Sequence, residues 1–154
     1  MKRLAALCLL IGACGHVEKS DWEREHETRL LPQEQAVALP PYPSRGELLE
    51  FSLGPTREFR FFIDASSLSV ADGIVRYTLV TRSAQGTQNV SHEGMRCETG
   101  EVRIYAVGRD GGWSGKPGEW RSQRPWHRTL YREYFCPFRQ PIRSRDEGLD
   151  ALRR

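Results

Sequence analysis

The sequence predicts an α+β domain, an antiparallel sheet of about four to six strands covered by one C-terminal helix; a β-sandwich without that helix is the alternative. Three observations lead there. Residues 48–53, 59–63, 74–82, 89–97 and 102–107 have strand character, clearest in 74–82, where Val75, Tyr77 and Leu79 alternate with Arg76, Thr78 and Arg82. The turns between most of them, marked by Asp72-Gly73, Gly86, Gly100 and Gly111-Gly112, are too short to hold crossover helices, so neighbouring strands run antiparallel. After a Gly-, Pro- and Trp-rich loop, Trp126, Leu130 and Tyr134 recur at helical spacing with Tyr131 and Phe135 beside them. Such a helix would lay its aromatic side on the otherwise uncovered apolar face of the sheet.

Ahead of this domain the chain reads as an exported leader and a tether. Lys2 and Arg3 form a basic start, and residues 4–13 are apolar without a charge. That run is far shorter than the roughly 20 residues of a membrane-spanning helix and fits a signal peptide. Ile11, Gly12 and Ala13 lead into Cys14 as a lipobox, in which small residues admit the peptidase and the thiol accepts a diacylglyceryl group. Two or three acyl chains, at about 0.8 kcal/mol per buried methylene, give stable anchoring where one chain is marginal. Gly15 stands where an inner-membrane retention signal would place Asp, so the expected address is the periplasm-facing outer membrane. If Cys14 is incidental, the protein is soluble in the periplasm.

Residues 14–46 are expected to form the lipidated tether, with a capping-box spacing at Ser20 and Glu23 and extended backbone enforced by Pro40, Pro41 and Pro43. The domain proper is placed at 47–140, and 141–154 is read as a charged, loosely ordered tail. Of 23 basic residues, Lys2 and Arg3 leave with the leader, so 21 face 20 acidic ones in the mature chain. The balance is uneven: residues 16–50 carry 4 basic and 8 acidic side chains, and 121–154 carry 9 and 4. The basic end is expected to meet the acidic tether or anionic headgroups. This near-neutral chain of ordinary composition gives no sign of nucleic-acid binding.

Cys97 and Cys136 are the cysteines that remain after processing, and in an oxidising compartment they are expected to pair; a free thiol or metal site is the rival, without a CxxC motif to support it. His92 and Glu93, adjacent in a strand, point to opposite faces and are not a working pair. His127 falls in the predicted helix, and Asp64, Asp72 and Asp110 read as turn residues. Trp113, Trp120 and Trp126 form a candidate aromatic binding patch, with core packing as the alternative. No nucleophile elbow, metal-ligand set or cofactor motif stands out, so neither catalytic residues nor a cofactor are assigned.

Several motifs resemble the cryptic neisserial protein family of betaproteobacterial envelope lipoproteins. In order they are Leu39-Pro40 with Tyr42-Pro43, Phe61-Phe62-Ile63-Asp64, Asp72-Gly73-Ile74-Val75-Arg76-Tyr77-Thr78-Leu79-Val80, Asn89-Val90-Ser91, Glu93-Gly94-Met95-Arg96-Cys97 and Tyr134-Phe135-Cys136-Pro137. The resemblance implies a periplasm-facing lipoprotein and brings no catalytic residues with it. The functional expectation is a non-catalytic binding or assembly module, partnered by an envelope protein or cell-wall glycan; the alternative, resting on the indoles with Asp110 and Glu119 nearby, is a glycan-binding or glycan-hydrolysing enzyme.

Overall fold

Alternating strand segments joined by tight turns leave the chain one simple solution, an up-and-down meander, and the computed structural model has that form. It describes Ser20, residues 37–54 and residues 58–154, with only the backbone of Arg45. The leader, Cys14 and most of the tether lie outside the described residues. The described elements all belong to the unit Glu34–Arg154.

Six strands, β1 (Leu48–Phe51), β2 (Phe59–Ala71), β3 (Ile74–Ser83), β4 (Gln88–Arg96), β5 (Glu101–Arg109) and β6 (Gly112–Ser114), form one sheet in sequence order, each antiparallel to the next. Asp72-Gly73 and Asp110-Gly111 close two of the hairpins with positive φ at both residues, 54° and 73° in the first and 51° and 77° in the second. That is the backbone a two-residue turn needs to match strand twist. Asp72 and Asp110 therefore are turn residues.

Asp64 is different. It lies inside β2, fully buried, where the register slips between Asp64 and Ser69. Its carboxylate accepts the Ser66 N–H at 3.1 Å and hydroxyl at 2.8 Å, the Ser67 hydroxyl donates to the Asp64 carbonyl, and Ser67 Oγ accepts the Thr78 N–H at 2.8 Å. Side chains thus replace the ladder bonds that the bulge removes. The bulge lets β2 continue to Ala71, well past the predicted end at residue 63, and sends Leu68 into the core.

The larger core lies on one face of the sheet, built from Phe61, Ile63, Val75, Tyr77, Leu79 and Met95 and covered by the C-terminal elements. Helix α1 (Pro125–Thr129), with Pro125 in its first turn, runs on into a wide π-helical turn (Leu130–Phe135) closed by Cys136 N–H donating to Tyr131 O five residues back. The wider turn explains why Leu130 and Phe135, five apart, are both fully buried. A second, smaller cluster of Phe62, Val80 and Val90, with Tyr42, Leu48 and Trp113, occupies the opposite face. Arg76 and Thr78, on that face of β3, are buried as well. Residues 40–42, read as tether, pack on the sheet: Trp113 Nε1–H donates to Pro40 O at 2.7 Å and the Tyr42 ring lies 5.2 Å from that indole.

The C-terminal tail is not loosely ordered. Residues Arg145–Leu152 form helix α2, opened by Ser144, whose hydroxyl accepts the Glu147 N–H at 3.2 Å. Ile142, Leu149 and Leu152 are buried in the larger core, and Gly148 gives Leu68 and Ile142 room to approach. Three apolar residues among charges give too weak a pattern to read locally, yet they suffice once the sheet offers them a surface.

The disulfide forms as expected. Cys97, just past β4, bonds Cys136, just past the π-helical turn, with their Cα atoms 5.3 Å apart and both residues buried. It ties the fourth strand to the end of the covering helix.

Candidate functional site

The side chains of β4 alternate, so His92 and Glu93 face opposite ways, as the sequence implies. His92 lies on the smaller-cluster face, with Nδ1 3.3 Å from Thr78 Oγ1 and the Tyr105 ring 5.7 Å away. Burial there holds its pKa down at about 4, so the imidazole is neutral. Glu93 faces the helices and is 3% exposed. Its partners come from three elements: Tyr77, opposite in β3, donates its hydroxyl to Oε2 at 3.1 Å; Ser91 donates to Oε1 at 2.6 Å; and His127 of α1 brings Nε2 to 3.0 Å from Oε2. The backbone N–H of Arg124 donates to His127 Nδ1 at 3.1 Å, which fixes Nδ1 as the acceptor and Nε2–H as the donor to Glu93. Burial first, then the adjacent carboxylate, raises the Tyr77 hydroxyl pKa well above its ordinary value and keeps it a donor.

Both nitrogens of His127 already have partners within the fold, and Glu93 accepts from Tyr77 and Ser91 as well as from His127. The network locks α1 to the sheet. It went unread in the sequence because Glu93 and His127 are 34 positions apart and share no motif.

Beside it lies an open cleft. After β6 the chain runs on in the same direction along the outer edge of β5, returning towards its start, where Gly118 N–H donates to Ile104 O and Arg121 exchanges both backbone bonds with Val102, each at 2.9 Å. Between this return segment and the start of α1 is a hollow of about 240 Å³. Val102 and Ile104 give it an apolar floor, and the imidazole of His127 forms part of the wall. Lys116, Arg121 and Arg124 line it with positive charge against, among the described residues, a single acid, Glu119, and Ser122 adds a hydroxyl. The Arg124 guanidinium rests over the Trp126 ring at 5.5 Å.

The three indoles do not make one patch. Trp126 packs on Phe61, at 5.7 Å between rings, as part of the larger core, whereas Trp113 belongs to the smaller cluster on the opposite face. Trp120 lies under the Arg96 guanidinium at 4.1 Å. Among the described residues, no three His, Cys, Asp or Glu side chains converge as a metal site, and no helix is long and apolar enough to cross a membrane.

A model of the CNP1-like family matches residues 28–153. The chain belongs to the CNP1-like family. No curated protein and no solved structure matches it. The matched span of this CNP1-like chain takes in every strand and most of the segment read as a tail, α2 included. The motifs behind the resemblance have structural places: Asp64 holds the β2 bulge, Asp72-Gly73 turns the β2–β3 hairpin, Glu93 centres the buried network, and Cys97 and Cys136 form the disulfide.

Proposed function

We propose that this CNP1-like chain is a lipid-anchored envelope protein, held at the periplasmic face of the outer membrane by acyl chains on Cys14, whose domain works by binding. The observation that carries the binding reading is the cleft beside β5, where preset cations surround an apolar floor and the nearest imidazole has no nitrogen to spare. The glycan-hydrolase alternative needs two carboxyl groups about 5–9.5 Å apart. Among the described residues Glu119 is the single acid lining the cleft, and Asp110 lies in the β5–β6 turn. The address is supported by the basic and apolar start, the lipobox ending at Cys14, and a buried disulfide of the kind that persists in oxidising compartments.

Metabolic labelling with a fatty acid, followed by membrane fractionation, tests the anchor. Wild-type protein takes up label and sediments with outer membranes, while Cys14→Ser is unlabelled and is released or left unprocessed. An unlabelled wild-type protein overturns the anchor and leaves a soluble periplasmic protein. For the binding reading, a photo-crosslinking residue at position 119 in intact cells should yield a discrete adduct; none at all, or released sugars instead, refutes it.

A further inference from the structure

Resting on that binding reading, we infer that the cleft beside β5 is a receptor site for a small anionic amphiphile, an aliphatic chain bearing a carboxylate or a phosphate. The charge balance sets the sign of the ligand. Among the described residues Lys116, Arg121 and Arg124 face the hollow against Glu119 alone, and neither Lys116 nor Arg121 has a side-chain hydrogen bond or ion pair with another of them. In a folded surface, three cations brought to one hollow without acids to match repel one another, and an anion relieves that cost. Arginine adds a planar fork of donors suited to either oxyanion.

The floor sets the rest of the ligand. Ile104 is 42% exposed, one of few large apolar side chains left in solvent among the described residues, and it lines the same hollow as Val102 and the cations. An aliphatic segment there removes apolar surface from water at about 25 cal/mol per Å². A volume of about 240 Å³ falls just under the usual range for drug-sized ligands, so the occupant is a short chain or the charged end of a longer one.

The site is also built in advance. Arg121 is pinned by its two backbone bonds to Val102, and Arg124 by its N–H to His127 and its guanidinium over Trp126. Glu93 in turn holds His127 from behind. Binding therefore spends little on ordering the loop. This gives the buried network a purpose: it fixes the wall and one rim of the receptor.

The test uses the whole mature chain from residue 14 with Cys14→Ser, so that no acyl chain competes. Octanoate, octyl phosphate, octanol and inorganic phosphate are titrated separately by calorimetry and by amide chemical shifts. Octanoate, octyl phosphate or both should bind at least tenfold more tightly than octanol and inorganic phosphate, with shifts centred on Ile104, Gly118 and Ser122. Preference between the two binders tells a fatty acid from a phosphate headgroup. Arg121→Gln with Arg124→Gln should cost about tenfold or more, while Glu119→Gln should gain about two- to fivefold because an opposing charge is gone. Octanol binding as well as octanoate, shifts mapping elsewhere, or indifference to both charge changes overturns the inference. Should the in-cell crosslink at position 119 capture a protein while no amphiphile binds, the ligand class is wrong and the binding reading stands. If neither is seen, both fall.

Discussion

Removing the Glu93 carboxylate should unlock α1 from the sheet at a cost of about 2–6 kcal/mol, the loss expected when two buried donors are left without their acceptor. The structure gives the parts of that figure. Glu93→Ala strands the Tyr77 hydroxyl, whose residue is fully buried, and the Nε2–H of His127, which is 5% exposed. Each orphaned donor costs about 1–3 kcal/mol. Ser91 is only partly buried, so its hydroxyl recovers a bond to water. Against a typical domain stability of about 5–15 kcal/mol, the alanine variant stands near the edge of folding. A gentler cycle isolates the same interaction: Glu93→Gln, Tyr77→Phe and the double variant, unfolded in urea at neutral pH with the disulfide intact and followed by circular dichroism. Tyr77→Phe alone should cost about 1 kcal/mol, and the two changes should couple by about 1 kcal/mol or more. Additivity within about 0.3 kcal/mol would refute the idea that the tyrosine and the carboxylate act as one unit.

Three further outcomes follow from other parts of the fold. His92 has its folded pKa lowered to about 4 from 6.5, so the unfolded chain binds the extra proton first; stability should fall as pH drops from about 6.5 towards 4, by about 2 kcal/mol, and His92→Gln should flatten that part of the pH profile relative to wild type. Gly148→Ala, which on an exposed helix would stabilise, should here destabilise by about 1–2 kcal/mol, because the new Cβ would lie 2.6 Å from Ile142 Cδ1 and 2.8 Å from Leu68 Cδ2; an unchanged or raised melting temperature would show that the core yields freely. Cys97→Ala with Cys136→Ala opens a link across 39 positions and should cost about 4 kcal/mol, read as a drop in the urea midpoint, whereas a loss under about 1 kcal/mol would mean that packing alone holds the covering helix.

Much of the sheet was legible in the sequence because a hairpin is a local object. Asp72-Gly73 fits a turn with positive φ at both residues, and the alternation of Val75, Tyr77 and Leu79 points one side of β3 at the core before any partner strand is known. The pairing of Cys97 with Cys136 needed only their being the two cysteines within the domain, and the aromatic spacing after Trp126 announced a covering helix. Other features have no local signature. The β2 bulge depends on Ser66 and Ser67 satisfying Asp64 and Thr78 across a strand pair, and α2 carries too few apolar residues to show itself until Leu68 and Ile142 meet Gly148. The indoles, neighbours in sequence, are separated because β6 places Trp113 on one face of the sheet while α1 carries Trp126 to the other. Glu93 and His127 meet only because packing α1 on the sheet closes a gap of 34 positions, and the cleft exists only because Arg121 comes back to bond Val102. The sequence by itself determined most of the strands and the turns, whose patterns run between near neighbours, and the disulfide, because Cys97 and Cys136 are the two cysteines within the domain. Only the tertiary structure decided which polar groups share a buried site and which cations line a hollow, because those depend on contacts between residues that no local pattern connects.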